Sequence, residues 1–179
     1  MKVGEKVETK FLVKQAKRGN KEALLQLIMA QKDDYYRLAY VYLKNEEDSM
    51  DVLQDMILIL YENIPKLRKE GSFYSWSKTI LVNECKRRLR EKKRMIPLDN
   101  MKEEPFEEYY DISEDKIVLE KYLSKLNEKH KEVIRLRYLL DLDYKSISEI
   151  LKIPLGTVKS RLSIGMEKLR ESIGGEFNG

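Results

Sequence analysis

The stretch Tyr144–Arg170, YKSISEILKIPLGTVKSRLSIGMEKLR, decides how the chain is read. Ile147, Ile150 and Leu151 recur at helical spacing, and Lys152, Ile153 and Pro154 follow as a turn, since proline removes a backbone donor and disfavours a helical predecessor. A second helix begins near Leu155 or Gly156. At a helical step per residue, Val158, Leu162, Gly165, Met166 and Leu169 share one face, which leaves Thr157, Ser160, Ser163, Ile164 and Glu167 outward with Lys159 and Arg161 on the flanks. Helix, short turn, helix is helix-turn-helix spacing. Short polar groups in the first turns, between two cations, suit a helix that enters the major groove of duplex DNA while its flanks hold phosphates. Thr157, Lys159, Ser160 and Arg161 are therefore candidate duplex contacts. A helical hairpin with a polar surface is the plain alternative, and the agreement of turn, stripe and basic flanks weighs against it.

Upstream, Leu123 and Leu126, then Val133, Ile134, Leu136 and Tyr138, keep a helical period as far as Asp141. The segment 96–113, IPLDNMKEEPFEEYYDIS, breaks it with Pro97 and Pro105 and reads as an acidic flexible linker. Charge changes sign there. Lys86–Arg94 holds seven basic residues against Glu91 alone, and Asp99–Asp115 holds eight acids against Lys102 alone.

In the first half, Asn20 can cap a helix that buries Leu24, Leu25 and Ile28, and Tyr35, Leu38, Ala39 and Tyr42 space a second. Asn45 with Glu46, Glu47 and Asp48 marks a third helix start, with acids in its positive first turn. Leu53, Met56, Ile57 and Leu60 form its expected core stripe. Val52, Leu58 and Ile59 make the other faces apolar too, so this helix is either central to its bundle or covered by another protein, with Asp51, Gln54 and Asp55 on its polar side. A helix from about Phe73 to Arg94 sets Thr79, Asn83, Lys86, Arg87 and Arg90 on one face with Trp76 at its edge. Cations supply the phosphate attraction that dominates nucleic-acid affinity, and an aromatic beside them can stack on an unpaired base. Phe73, Trp76 and Ile80 suit a core at least as well; seven cations exceed what helix-end compensation needs. The expectation is an all-α fold: two small helical domains, residues 10–95 and 114–173, joined by the linker, the second domain a helix-turn-helix.

Composition excludes several classes. Hydrophobic residues at 42% supply a core despite 37% charged residues, so the chain is globular rather than disordered. One cysteine, Cys85, rules out an intrachain disulfide, and no apolar run nears the roughly 20 residues of a membrane span. The first ten residues lack the apolar core of a signal peptide, so the expected compartment is the cytoplasm. No metal-ligand cluster, phosphate-binding glycine loop or catalytic constellation stands out, so no cofactor, metal or enzymatic activity is expected. His130, the single histidine, reads as a solvated residue at a helix start, Cys85 as a packed thiol, and the pair Glu103 and Glu104 as solvated linker acids.

Three stretches together resemble the extracytoplasmic-function group of bacterial RNA polymerase sigma factors, over about residues 10–172. DSMDVLQDMILILY (48–61) looks like the family segment that docks on the polymerase clamp, GSFYSWSKTILVNECKRRLR (71–90) like its minus-10 segment, and YKSISEILKIPLGTVKSRL (144–162) like its minus-35 helix-turn-helix. The resemblance implies polymerase contact at Asp51, Gln54, Asp55 and Leu58. For the minus-10 strand it implies Ser72, Phe73, Tyr74, Trp76, Thr79, Asn83, Lys86, Arg87 and Arg90, and for the minus-35 duplex Thr157, Lys159, Ser160 and Arg161. It also implies core RNA polymerase and promoter DNA as partners, an anti-sigma factor that can be membrane-bound, and a linker threading near the polymerase active-site channel. Ser146, Ser148 and Lys152 depart from the family pattern, which has Glu, Ala and Gly there; a left-handed backbone at Lys152 would cost roughly 1 kcal/mol. An autonomous helix-turn-helix regulator is the alternative function, but such proteins usually dimerise, and no long heptad seam is present.

Overall fold

The computed structural model describes residues 3–95 and 122–174. The chain divides into two compact units with the boundary between Met101 and Lys102, and all regular structure among the described residues is helical. The linker expected over residues 96–113 lies outside the described residues.

The first unit holds α1 (Val3–Lys17), α2 (Lys21–Met29), α3 (Lys32–Leu43), α4 (Glu46–Asn63) and α5 (Phe73–Met95). Both anticipated caps form: the Asn20 side chain accepts from the Ala23 N–H at 3.1 Å, and that of Asn45 from the Asp48 N–H at 2.9 Å. Each satisfies a backbone donor that the first helical turn leaves unpaired. Lys44 ends α3 in the left-handed region, with φ 55°. Helices α3, α4 and α5 pack on one another, while α1 pairs with α2 and lies on the two short 3-10 turns, Ile64–Lys66 and Glu70–Ser72, that join α4 to α5.

Two core expectations need correcting. Leu25 is 55% exposed, and α2 instead buries Ala23, Leu24, Leu27 and Ile28. On α4 the buried stripe is Ser49, Val52, Met56 and Leu60, whereas Leu53 is half-buried and Ile57 is 37% exposed. The helix is turned so that Val52, Met56 and Leu60 face the core and its acidic side meets α5, where Asp48 pairs with Arg88 and Lys92. Phe73, Ser77, Leu81, Val82 and Cys85 line the inward side of α5, and Ser77 shares a 2.6 Å hydrogen bond with the buried Tyr35 hydroxyl of α3. Burial pushes the Cys85 thiol up to about 12, which keeps it neutral and unreactive.

The second unit holds α6 (Glu128–Ile134), continued by a π-helical turn Arg135–Leu139, then α7 (Tyr144–Leu151) and α8 (Leu155–Gly174). Asn127 and Asp143 cap α6 and α7. The backbone N–H of Ser146 holds the Asp143 carboxyl below its ordinary range. Val158, Leu162, Gly165 and Leu169 of α8 are buried, as the spacing predicts, and Met166 is half-buried. Gly165 permits the approach of α6: a Cβ there would lie 2.8 Å from Ile134 Cδ1 and 3.1 Å from His130 Cβ. His130 is thus not a solvated residue but a half-buried one at this crossing, and its Nδ1 meets no hydrogen-bond partner among the described residues.

Candidate nucleic-acid and partner interfaces

The turn that aims α8 is tighter than its sequence suggests. Lys152 does adopt a left-handed backbone, φ 53° and ψ 44°. Ser148 offsets that cost: its hydroxyl donates to the Ile153 carbonyl at 2.6 Å, while the Ile153 N–H donates to the Ser148 carbonyl at 3.2 Å. The first turn of α8 is closed by the Pro154 carbonyl, which accepts from Thr157 and Val158 at 2.9 and 3.1 Å. From this end Lys159 and Ser160 are exposed, and Thr157 and Arg161 are half-buried. The four candidate duplex contacts therefore occupy one end of one helix, on a scaffold anchored by Val158 and Leu162.

On α5 the expected face divides. Asn83 and Arg90 are exposed, Trp76 and Lys86 are half-buried along the same side, and Ser72 in the preceding turn and Tyr74 in the first turn of α5 are half-buried as well. Phe73 and Thr79 must be removed from it. Phe73 is fully buried, packed edge-on to Tyr74, and Thr79 is 4% exposed, its hydroxyl donating to the Ser75 carbonyl at 2.8 Å. Phe73 lies on the inward side of α5, and Thr79, although it falls on the expected face, is covered near the start of the helix.

Arg87 turns toward α4. Its guanidinium meets Glu84 at 2.7 Å, Glu91 at 2.9 Å and Asp55 at 3.0 Å, and these carboxylates, Glu84 foremost, raise its already high pKa further. Arg88 meets Asp48 at 3.1 Å and Asp51 at 2.5 Å, and Lys92 pairs with Asp48. Asp48, Asp51 and Asp55, at i, i+3 and i+7, thus form an acidic rail on α4 against a cationic rail on α5. Sequence reasoning had counted Asp48 only as a first-turn acid and Arg88 and Lys92 only within a charge block. The i, i+3, i+7 spacing of the three aspartates was the available signal.

The rest of the assigned edge of α4 faces outward: Gln54 is exposed and Leu58 is 63% exposed, with Met50 and Tyr61 also open. Of the two readings of this apolar helix, its own bundle leaves a substantial part uncovered. Among the described residues no group of His, Cys, Asp and Glu could hold a metal ion, and no helix is long and apolar enough to cross a membrane.

A small helical unit ending in a basic helix, paired with a helix-turn-helix unit, defines a class of DNA-binding transcription proteins, and the comparisons give that class its family. Residues 27–95 match the model of sigma-70 region 2 and residues 122–171 that of sigma-70 region 4. The chain is 32% identical over 176 residues to the ECF RNA polymerase sigma factor SigW of Bacillus subtilis (strain 168), covering 90% of this chain and 94% of that one. It is 29% identical over 186 residues to an ECF RNA polymerase sigma-E factor of Haemophilus influenzae, covering 96% and 98%. Two solved structures share the fold. CnrH in complex with the cytosolic domain of CnrY has a TM-score of 0.69 at 20% identity, over 94% of this chain and 98% of that one. The sigma factor RpoE in complex with the anti-sigma factor NepR from Bartonella quintana has a TM-score of 0.61 at 21% identity, over 83% and 95%. The chain belongs to the extracytoplasmic-function (ECF) group of the sigma-70 family, whose members are transcription initiation factors.

Proposed function

We propose that this protein binds core RNA polymerase in the cytoplasm and directs it to promoters. On this reading α8 reads the minus-35 duplex through Thr157, Lys159, Ser160 and Arg161. Ser72 of the Glu70–Ser72 turn, with Tyr74, Trp76, Asn83, Lys86 and Arg90 of α5, holds the separated minus-10 strand, and Asp51, Gln54, Asp55 and Leu58 of α4 meet the polymerase. Residues 10–95 and 114–173 act as the two working domains, and 96–113 joins them. The protein contributes binding energy and position, not bond chemistry.

The observation that carries this is the presence, in one chain, of two different surfaces whose chemistry suits nucleic acid. One is a helix end with short polar groups between cations, suited to a groove. The other sets the half-buried Trp76 on the same side of α5 as the exposed Asn83 and Arg90, which lie further along the helix, a combination suited to unpaired bases. An autonomous repressor needs only the first. Two solved relatives of the same fold carry a partner, in one case a named anti-sigma factor, and this supports regulation of the present chain by a similar protein.

The test is reconstitution. Purified protein mixed with core polymerase is expected to co-elute in gel filtration and to confer promoter-dependent transcription. Permanganate footprinting should then find unpaired thymines near minus-10 with the wild-type protein and few with Trp76→Ala. Absence of a complex with core polymerase sinks the reading.

A further inference from the structure

Tyr35 of α3 and Ser77 of α5 are both buried, at 1% and 0% exposure, and the proposed function uses neither. Their hydroxyls lie 2.6 Å apart, and the Ser77 hydroxyl also donates to the Tyr74 carbonyl at 3.1 Å. A serine hydroxyl carries one proton. With that proton on the Tyr74 carbonyl, the Tyr35 O–H donates to Ser77 Oγ, so the bonds run in one direction, from Tyr35 through Ser77 to the Tyr74 backbone. Burial pushes the Tyr35 pKa far above its ordinary range, so the phenol keeps its proton and stays a donor.

The start of α5 needs such an anchor. Ser72, Ser75, Ser77 and Thr79 each donate a side-chain hydroxyl to a carbonyl three or four residues back, at 2.7, 3.2, 3.1 and 2.8 Å. Hydroxyls that return to the helix backbone compete with its own N–H groups, slightly destabilise the helix and often bend it. Four such bonds within Ser72–Thr79 leave the direction of this segment to tertiary contacts. Helix α3 supplies two of these from adjacent residues: Tyr35 meets Ser77, and the Asp34 carboxylate meets Lys78 at 3.4 Å. Trp76 precedes this anchored pair, half-buried, its ring 6.2 Å from that of the fully buried Phe73, and the Tyr74 ring stands edge-on to Phe73 at 5.4 Å.

We infer that Tyr35 is a positioning residue for promoter opening: through Ser77 and the Tyr74 carbonyl it sets where Tyr74 and Trp76 stand to receive the separated minus-10 strand. The inference rests on the proposed function for the role of those two side chains. Its effect falls on opening rather than on assembly or duplex binding, because the chain of bonds ends in the first turn of α5 and includes neither the Asp51–Leu58 edge of α4 nor any residue of α8. A buried donor, an acceptor with its own donor bond and a backbone carbonyl polarise one another, so the chain holds one geometry more firmly than its separate bonds would.

The full chain assembled with core polymerase is placed on a linear promoter fragment. Electrophoretic shift at low temperature reads the closed complex, and permanganate reactivity of thymines near minus-10 reads opening. Tyr35→Phe keeps the ring and removes the donor; it is expected to leave the closed complex at wild-type level and to slow opening about two- to tenfold, the fold-change of one neutral hydrogen bond. Ser77→Ala should slow opening as well, and the double variant should be no slower than the slower single, since both break one chain. Trp76 is the single tryptophan, so acrylamide quenching of the free protein's fluorescence reads its position directly. Tyr35→Phe should raise that quenching with helix content unchanged by circular dichroism. Val82→Ala truncates the core on the same helix outside the chain of bonds; it should lower the melting temperature more than Tyr35→Phe does and open promoters as wild type. Equal loss of opening in Val82→Ala, or unchanged Trp76 quenching in Tyr35→Phe, overturns the inference. Normal opening by Tyr35→Phe beside impaired opening by Trp76→Ala overturns it too, and leaves the proposed minus-10 surface standing. Impaired opening by Tyr35→Phe beside normal opening by Trp76→Ala removes Trp76 from that surface and leaves Tyr35 acting through Tyr74.

Discussion

Arg87 and Asp55 stand 3.0 Å apart across the α4–α5 seam, so a cation assigned to DNA and a carboxylate assigned to polymerase neutralise each other in the free protein. Both side chains are more than 40% exposed, so the pair adds little to stability, about 0–1 kcal/mol. Its larger consequence is for charge. Asp51→Asn/Asp55→Asn should leave the melting temperature nearly unchanged and raise single-strand affinity with a steeper salt slope, and Arg87→Gln/Arg88→Gln in the same protein should abolish the gain. A gain that survives would mean the aspartates act only through net charge. Asp48 differs: its side chain is 10% exposed and serves both Arg88 and Lys92, so Asp48→Ala should cost roughly 1–2 kcal/mol in denaturant unfolding.

Gly165 and Gly156 of α8 are opposite cases. A Cβ at Gly165 would meet Ile134 Cδ1 at 2.8 Å and His130 Cβ at 3.1 Å; one at Gly156 would meet nothing within 4 Å. Alanine gains about 0.8–1.0 kcal/mol over glycine in a helix interior, and overpacking costs about 1–3 kcal/mol. Gly165→Ala should therefore lower the melting temperature of the second unit, because the His130 Cβ is fixed to the α6 backbone and cannot step aside. Gly156→Ala should leave that temperature level or raise it. Equal shifts for the two would show that α6 and α8 do not meet as closely as described.

The sequence disclosed what is periodic and hid what is thin or shared. The α8 stripe was legible because Val158, Leu162 and Leu169 are large, regular and covered on one side only. Helix α1 was not, because among its described side chains it buries only Thr9, Val13 and Ala16, too small a stripe to stand out among its lysines. The rotation of α4 is hidden for a different reason: apolar residues lie on several faces, so periodicity alone does not choose between Leu53 with Ile57 and Val52 with Met56 and Leu60. Among site residues, Thr79 falls on the expected face but is covered, which depends on packing that periodicity cannot see, and Phe73 belongs to the inward side of α5. His130 was misplaced because nothing in its lysine neighbours indicates the glycine opposite.

That histidine gives the second unit a pH dependence. Burial, with Lys168 and Arg161 nearby, lowers the His130 pKa below its ordinary 6.5. The unfolded chain then binds the proton more readily than the folded one, so stability is full above about pH 6.5 and declines as pH falls through the lowered folded value. Urea unfolding of the second unit at a series of pH values should show this decline. His130→Gln should remove it in that window, leaving the deeper acid loss caused by carboxylates such as Asp143. A decline that persists unchanged in His130→Gln would assign it to those carboxylates alone.

The proposed duplex surface of α8 makes the last prediction. Lys159 is exposed and Arg161 half-buried, on opposite flanks of Ser160, while Thr157 sits one turn nearer the Pro154 cap. Phosphate contacts set affinity and its salt dependence, and groove contacts set sequence preference. Lys159→Ala and Arg161→Ala should each weaken binding of the holoenzyme to all minus-35 sequences alike and reduce the log–log salt slope by about one. Thr157→Ala or Ser160→Ala should leave the slope intact and change the ranking of minus-35 variants, since on the proposed reading their short hydroxyls face base edges rather than phosphates. Electrophoretic shifts on a panel of minus-35 substitutions, at several salt concentrations, separate the two behaviours. A ranking unchanged by Thr157→Ala and Ser160→Ala together would move sequence reading to another part of α8, and a slope unchanged by both cation variants would remove Lys159 and Arg161 from the phosphate backbone.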